Sequence, residues 1–145
     1  MATVRASILI NHPIGKIFEY VVLPQNHIKF FPYLKETSQI SPILPSLGQT
    51  YSWRYFMGGI QMKGNAIVSQ YIPPQKFAMT TTGDVVSTWT FLFEDGVEGT
   101  KVTLTVDYEF EQNIVKRIMN QLILAKLNEK TVQDLLENLK AQLEA

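Results

Sequence analysis

The stretch YSWRYFMGGIQMKGNAIVSQYI, residues 51–72, decides the fold prediction because two strand-like segments flank a pair of glycines. Tyr51 to Met57 and Ile60 to Ile72 alternate between apolar and polar positions, which is the period of a β-strand. Gly58-Gly59 supplies the positive φ angles that tight hairpin turns require. The sequence therefore predicts an antiparallel hairpin over residues 51–72.

The register set by this turn sorts the hairpin side chains onto two faces. The predicted opposite pairs are Trp53 with Gly64, Tyr51 with Ala66, Tyr55 with Met62 and Arg54 with Lys63. One face is then apolar and the other polar, as in an antiparallel sheet that is covered on one side. Arg54 points outward in this register. A slip of one residue would turn it inward, as an anchor for an anion or a carbonyl group.

The rest of the chain adds helices before this hairpin and strands after it. The patterns predict a strand at Thr3 to Ile10, a helix from Ile14, and a short helix at Gln25 to Phe31. A second hairpin is predicted over Lys76 to Glu94, around Gly83-Asp84, and Thr100 to Phe110 alternates as a further strand.

The second hairpin has two candidate registers. A three-residue loop places Phe77 and Met79 beside Trp89, whereas a two-residue loop would place Ala78 and Thr80 there. The first is favoured because it collects the larger apolar groups on one face.

A long amphipathic helix is predicted from about Ile114 to Leu143, with its leucines mainly on one face. An antiparallel sheet must cover its apolar face, and this helix is the element long enough to do so. The sequence thus predicts an α+β fold of one domain, residues 1–145, in the order β-α-α-β6-α. The sheet curves around the C-terminal helix.

Composition and charge exclude several functions. Thirteen basic residues balance thirteen acidic ones, and the sequence shows no cluster of basic residues, so no nucleic-acid partner is predicted. No apolar run is long enough for a transmembrane helix, and residues 1–11 lack a signal-peptide pattern, so we expect mature protein in the cytoplasm. The two histidines, His12 and His27, and the absence of cysteine give no spacing for a metal site, and no cofactor is predicted.

The candidate site is the inner face of the sheet. The turn register and the strand alternation predict that one internal space is lined by Trp53, Tyr55, Met62, Met79, Trp89, Phe91, Tyr108, Met119 and Leu122. Tyr55 and Tyr108 are the preferred polar groups there, since a phenol combines an apolar ring with one hydrogen bond. Ser87 or Thr81 could orient a ligand, whereas His27 is interpreted as a surface or rim residue.

Several short motifs resemble the polyketide cyclase/dehydrase branch of the START-like (SRPBCC, helix-grip) superfamily. They are Ile14 to Pro32, Gly48-Gln-Thr-Tyr-Ser-Trp-Arg-Tyr, Met57-Gly-Gly, Val68 to Pro74, Thr82-Gly-Asp, Ser87-Thr-Trp-Thr-Phe, Gly99-Thr-Lys-Val-Thr, Tyr108 and Leu135-Leu-Glu-Asn-Leu-Lys. The resemblance implies a deep cavity between the sheet and the C-terminal helix. Members bind lipids, polyketides, hormones or other hydrophobic ligands, and some are cyclases or hydrolases. The motifs lie at turns and core positions, so the resemblance implies the fold and a pocket but does not imply a particular reaction.

Three functions follow as hypotheses. The leading one is the binding or carrying of a hydrophobic small molecule, such as a lipid, polyketide or aromatic compound. The second is a cyclase or dehydratase that uses one acid/base group in the same cavity. The third is an interaction domain with a filled core, with a homodimer as one option, and a cavity no larger than a few waters would favour it.

Overall fold

A computed structural model describes residues 2–57, 59–120 and 129–145 and, of residues 117–120, only the backbone. The elements in this part of the chain are β1 (Ala2–Ile10), α1 (Ile14–Val21), α2 (Pro24–His27), β2 (Leu34–Ser41), β3 (Thr50–Met57), β4 (Ile60–Ile72), β5 (Lys76–Gly83), β6 (Val85–Gly96), β7 (Gly99–Phe110), α3 (Gln112–Asn120) and α4 (Glu129–Glu144). Their order confirms the predicted α+β arrangement. The helix predicted from Ile114 to Leu143 is present as α3 and α4, and residues 121–128 lie outside the described part.

The described strands form one curved antiparallel sheet of seven strands in the order β1-β7-β6-β5-β4-β3-β2. The β3–β4 register confirms the predicted pairs, with Trp53 opposite Gly64 and Tyr55 opposite Met62. Gly59 has φ +79°, as the tight turn requires, while Gly58 lies outside the described residues. Gly59 therefore has the positive φ angle that the sequence predicted for this turn.

The β5–β6 hairpin adopts the favoured register. Met79 lies opposite Trp89 and Phe77 lies opposite Phe91, so the alternative pairing through Ala78 and Thr80 is wrong. All four of the paired side chains are buried on the inner face. This register is the more stable one because it buries the larger apolar side chains, and each of them contributes about 1.5–3 kcal/mol when removed from water.

Arg54 lies on the outer face, opposite Lys63 as predicted, so the inward alternative is wrong. Its guanidinium forms an ion pair with Glu36 on β2, at 3.6 Å, and both side chains are about half exposed. The neighbouring acid offsets the repulsion between the two facing cations. At this exposure the pair contributes little to stability.

Helix α4 packs on the inner side of the sheet, along β1. Its inward positions Val132, Leu135, Leu136 and Leu139 belong to the same hydrophobic core as the sheet residues. Two polar contacts hold its C-terminal half: Lys140 Nζ donates to the Leu9 carbonyl at 2.9 Å, and Asn138 donates to the Phe30 carbonyl at 3.2 Å. The helix therefore covers the apolar face, as the helix-grip prediction requires.

A buried cavity with uncharged polar groups

His27 is enclosed, which corrects its interpretation as a surface or rim residue. It ends α2, which is shorter than the predicted helix over Gln25 to Phe31, and its side chain is 1% exposed. Its ring stacks on Phe31 with centroids 4.9 Å apart and meets Tyr51 edge-on at 5.9 Å. Sequence reasoning missed this burial because the position of a short helix depends on contacts with the sheet, which no local pattern encodes.

The protonation of His27 follows from its surroundings. Its Nε2 lies 2.8 Å from the Val21 carbonyl, which can only accept a hydrogen bond, so Nε2 carries the proton. Burial lowers the pKa of His27 from 6.5 to about 4, although the bond to Val21 opposes part of this effect. The imidazole is therefore neutral at pH 7, with Nδ1 as a lone-pair acceptor.

Two tyrosines of β3, Tyr51 and Tyr55, line the same space as His27. The Tyr51 hydroxyl donates to the Met79 sulfur at 2.6 Å. Burial raises the pKa of the Tyr51 hydroxyl, with a further contribution from Tyr55, and burial also raises the pKa of Tyr55. Both phenols therefore stay protonated at neutral pH and act as hydrogen-bonding groups on apolar rings.

A chain of hydroxyl groups connects β5 and β6. Trp89 Nε1 donates to Ser87 Oγ at 2.8 Å, and Thr81 Oγ1 donates to the Val85 carbonyl at 3.0 Å. The two hydroxyls also share a short hydrogen bond. Because the Thr81 proton is used on the carbonyl, Ser87 donates to Thr81. Each N–H or O–H proton of these three side chains is thus already donated to another group of the protein.

These groups border one internal cavity. It is lined by His27, Phe31, Leu34, Thr37, Tyr51, Trp53, Tyr55, Met57, Met62, Met79, Thr81, Val85, Ser87, Trp89 and Phe110. None of these lining residues, which belong to the described ranges, is an acid, a lysine or an arginine. The cavity volume is about 40 Å³. That is room for about three water molecules.

The structure brings together five of the nine predicted site residues, namely Trp53, Tyr55, Met62, Met79 and Trp89. Phe91 and Tyr108 are buried, but they do not line the cavity. Phe91 packs between Phe77 and Phe93 in the core, and Tyr108 contacts Phe110 edge-on. The remaining two, the Met119 side chain and Leu122, lie outside the described residues.

Trp53 also fills the space over Gly64. A Cβ on Gly64 would lie 2.6 Å from Trp53 Cζ2, and the indole Nε1 donates to the Asn65 carbonyl at 3.0 Å. The hollow that the small residue would otherwise leave is therefore occupied by this ring. The open space lies instead between the sheet, α2 and the segment that leads into β2.

The lining residues that sequence analysis did not include come mostly from irregular segments and strand ends. Phe31 belongs to the stretch between α2 and β2, Leu34 begins β2, and Phe110 ends β7. Tyr51 and Met57 carry a usable signal, since both share the parity of Trp53 and Tyr55 on β3. Thr81 and Ser87, proposed above as groups that could orient a ligand, share the parity of Met79 and Trp89. The other positions depend on how separate elements meet in space.

Other kinds of site have little support in the described residues. They contain no group of three or more histidine, aspartate or glutamate side chains placed to hold a metal ion. None of their helices is long and apolar enough to span a membrane. The chemistry that this part of the chain offers at the cavity is burial of apolar surface plus uncharged hydrogen bonding.

Comparison with known proteins gives a family and a fold. The family model described as polyketide cyclase/dehydrase and lipid transport matches residues 1–144. A protein from Thermus thermophilus, TTHA0849, is 16% identical over 99% of this chain and 97% of its own, with a TM-score of 0.75. Ara h 8.0201 is 11% identical over 99% and 97%, with a TM-score of 0.66.

A third similar structure is that of an Aha1 dimer from Colwellia psychrerythraea, which is 17% identical over 99% of this chain and 97% of its own, with a TM-score of 0.63. No curated protein sequence matches this chain. At these identities the structural similarity shows the fold alone, which is that of the START-like superfamily.

Proposed function

Because this chain belongs to the polyketide cyclase/dehydrase and lipid transport family, we propose that it binds or carries an uncharged hydrophobic small molecule as a single cytoplasmic domain. The observation that carries the proposal is the chemistry of the cavity lining. It combines aromatic rings and methionines with a few hydroxyl groups and one neutral imidazole. Such a surface gains free energy by covering apolar area, at about 25 cal/mol per Å², and gives little to an ion.

The small cavity volume means that a ligand must displace lining side chains. Three methionines, Met57, Met62 and Met79, line the space. Methionine has three flexible side-chain torsions and a polarisable sulfur, so it adapts to ligands of different shapes. We therefore expect the cavity to enlarge when a ligand enters, through rearrangement of these side chains.

The cyclase or dehydratase alternative requires an acid or a base with a pKa near the working pH. The pKa of His27 is about 4, and burial raises the pKa of the Tyr51 and Tyr55 hydroxyls. None of these three groups exchanges a proton readily at pH 7. This supports binding over acid–base catalysis in the cavity.

A second candidate is an interaction domain with a filled core, and the cavity volume of about 40 Å³ favours it. On this hypothesis the fold would serve as a scaffold, and the homodimer considered above would be its working form. The similar protein from Colwellia psychrerythraea is described as a dimer. The two candidates differ in whether the cavity ever contains a ligand.

Native mass spectrometry of freshly purified protein distinguishes them. The binding proposal expects a bound small molecule, and it expects Met79→Trp, which fills the cavity, to lose that mass. The neighbouring substitution Thr80→Trp is the control, because Thr80 lies on the opposite face of β5 and contacts Ser69 on the outer face. A folded dimer that carries no small molecule and takes up none from a panel of hydrophobic compounds would instead support the interaction domain.

A further inference from the structure

His27 has one ring nitrogen without a partner. Its Nε2 is bonded to Val21, and Nδ1 has no hydrogen-bond partner in the described structure. Gln49 Oε1 is the only fully enclosed side-chain nitrogen or oxygen of the described residues that lacks one. Nδ1 is therefore unpaired but not fully enclosed, so it borders open space. The open space beside His27 is the cavity.

The other polar groups on the cavity wall also favour a donor from the ligand. The protons of Trp89 Nε1, Ser87 and Thr81 are all used within the hydroxyl chain, which leaves only lone pairs on its two oxygens. The Tyr51 proton is directed to the Met79 sulfur, and the Thr37 hydroxyl donates to the Pro24 carbonyl. The Tyr55 hydroxyl is the one lining donor for which the described residues provide no acceptor. The wall therefore presents more free acceptors than free donors, and a polar group that enters it gains most by donating a hydrogen bond.

We propose that the cavity is specific for an uncharged ligand with a hydroxyl group, which donates its hydrogen bond to His27 Nδ1. This inference rests on the proposed binding function and names the class of ligand. A carboxylate would bring a negative charge toward the Nδ1 lone pair, and the described lining offers no lysine or arginine to pair with it. A hydrocarbon of the same shape would bury equal apolar area but leave Nδ1 without a partner.

Four probes of nearly equal size test this specificity: 2-naphthol, 2-methoxynaphthalene, 2-methylnaphthalene and 2-naphthoate. Dissociation constants are measured at pH 7 by equilibrium dialysis. We expect 2-naphthol to bind about three- to tenfold more tightly than 2-methylnaphthalene or 2-methoxynaphthalene, neither of which can donate. We expect 2-naphthoate to bind at least about tenfold more weakly than 2-naphthol, because its charge would be buried without a partner.

Two variants locate the effect. His27→Phe keeps an aromatic ring beside Phe31 and removes the acceptor, so it should make 2-naphthol and 2-methylnaphthalene bind equally. His12→Phe replaces the other histidine, which is not a lining residue, and should keep the wild-type preference. If His27→Phe does not fold, the ¹⁵N resonance of His27 Nδ1 in the wild-type protein replaces it. That resonance should shift with 2-naphthol and stay in place with 2-methylnaphthalene.

The outcomes separate this inference from the function on which it rests. Equal binding of the three neutral probes would overturn the hydroxyl specificity and leave the binding function intact. The same holds if 2-naphthoate binds as tightly as 2-naphthol. No measurable binding of any probe to folded protein would count against both. A preference for 2-naphthol that persists in His27→Phe, or an Nδ1 resonance that does not respond to it, would overturn the role of His27.

Discussion

Lowering the pH from 7 to 4 should destabilise the protein through His27. In the unfolded chain this side chain has its ordinary pKa of 6.5, whereas burial lowers the pKa to about 4 in the folded protein. At pH values between these two pKa values, His27 is protonated in the unfolded state and neutral in the folded state. The free energy of unfolding therefore falls as the pH falls through this range, and it levels off once both states are protonated.

The magnitude follows from the pKa difference. Each unit corresponds to 1.36 kcal/mol, so a pKa lowered from 6.5 to about 4 removes about 3 kcal/mol of stability between pH 7 and pH 4. His27 is 1% exposed, so solvent screening does not reduce this figure substantially. A loss of this size is a large part of the 5–15 kcal/mol by which a typical domain is stable, taken as an order of magnitude.

Urea unfolding of the wild-type protein and of His27→Gln, measured at several values between pH 7 and pH 4, isolates the effect. Glutamine can still donate to the Val21 carbonyl but does not ionise in this range. The stability difference between wild type and variant should shift by about 3 kcal/mol, in favour of the variant, as the pH is lowered. Parallel pH profiles of the two proteins would refute a buried neutral imidazole, and His12→Gln serves as the control for loss of a histidine.

Three further substitutions test the fold. Gly59→Val should destabilise the protein by more than about 1 kcal/mol, because Gly59 has φ +79°. Gly15→Ala is the control, since a Cβ at Gly15 meets no atom within 4 Å. Equal melting temperatures of these two variants would contradict the turn. Gly64→Ala should cost about 2–3 kcal/mol, because its Cβ would lie 2.0 Å from the Thr82 carbonyl oxygen, and a urea midpoint like that of wild type would show that the β4–β5 contact is looser than described. Leu139→Ala should cost about 2–5 kcal/mol by urea unfolding, since this side chain is fully buried, and a loss below about 1 kcal/mol would mean that α4 does not cover the sheet.

The sheet could be predicted because its information is local. The β3–β4 register depends on a glycine pair and on strand alternation, and both lie within residues 51–72. The β5–β6 register needed one further argument, the preference for burying Phe77 and Met79 on the same face, and the structure confirms it. The outward position of Arg54 follows from the same parity.

The cavity could be predicted only in part. Parity placed Trp53, Tyr55 and Met79 on the inner face, and they line the space that the structure shows. The parity of a strand position does not tell how far along the strand the cavity extends. It therefore predicts Phe91 and Tyr108 as lining residues, although both pack in the core. The volume of the cavity depends on how closely α2 approaches the sheet, for which the sequence has no signal.

The sequence by itself determined the order of the elements, the two hairpin registers and the apolar face of the sheet, because periodicity and turn chemistry act between residues close in the chain. Only the tertiary structure decided the environment of His27. A histidine next to a short helix has the same sequence pattern whether it is exposed or enclosed. Its hydrogen bond to Val21 is local, but its burial depends on packing against strand residues more than twenty positions away in the chain, such as Tyr51. These long-range contacts lower its pKa to about 4, and with it they set the polarity of the cavity.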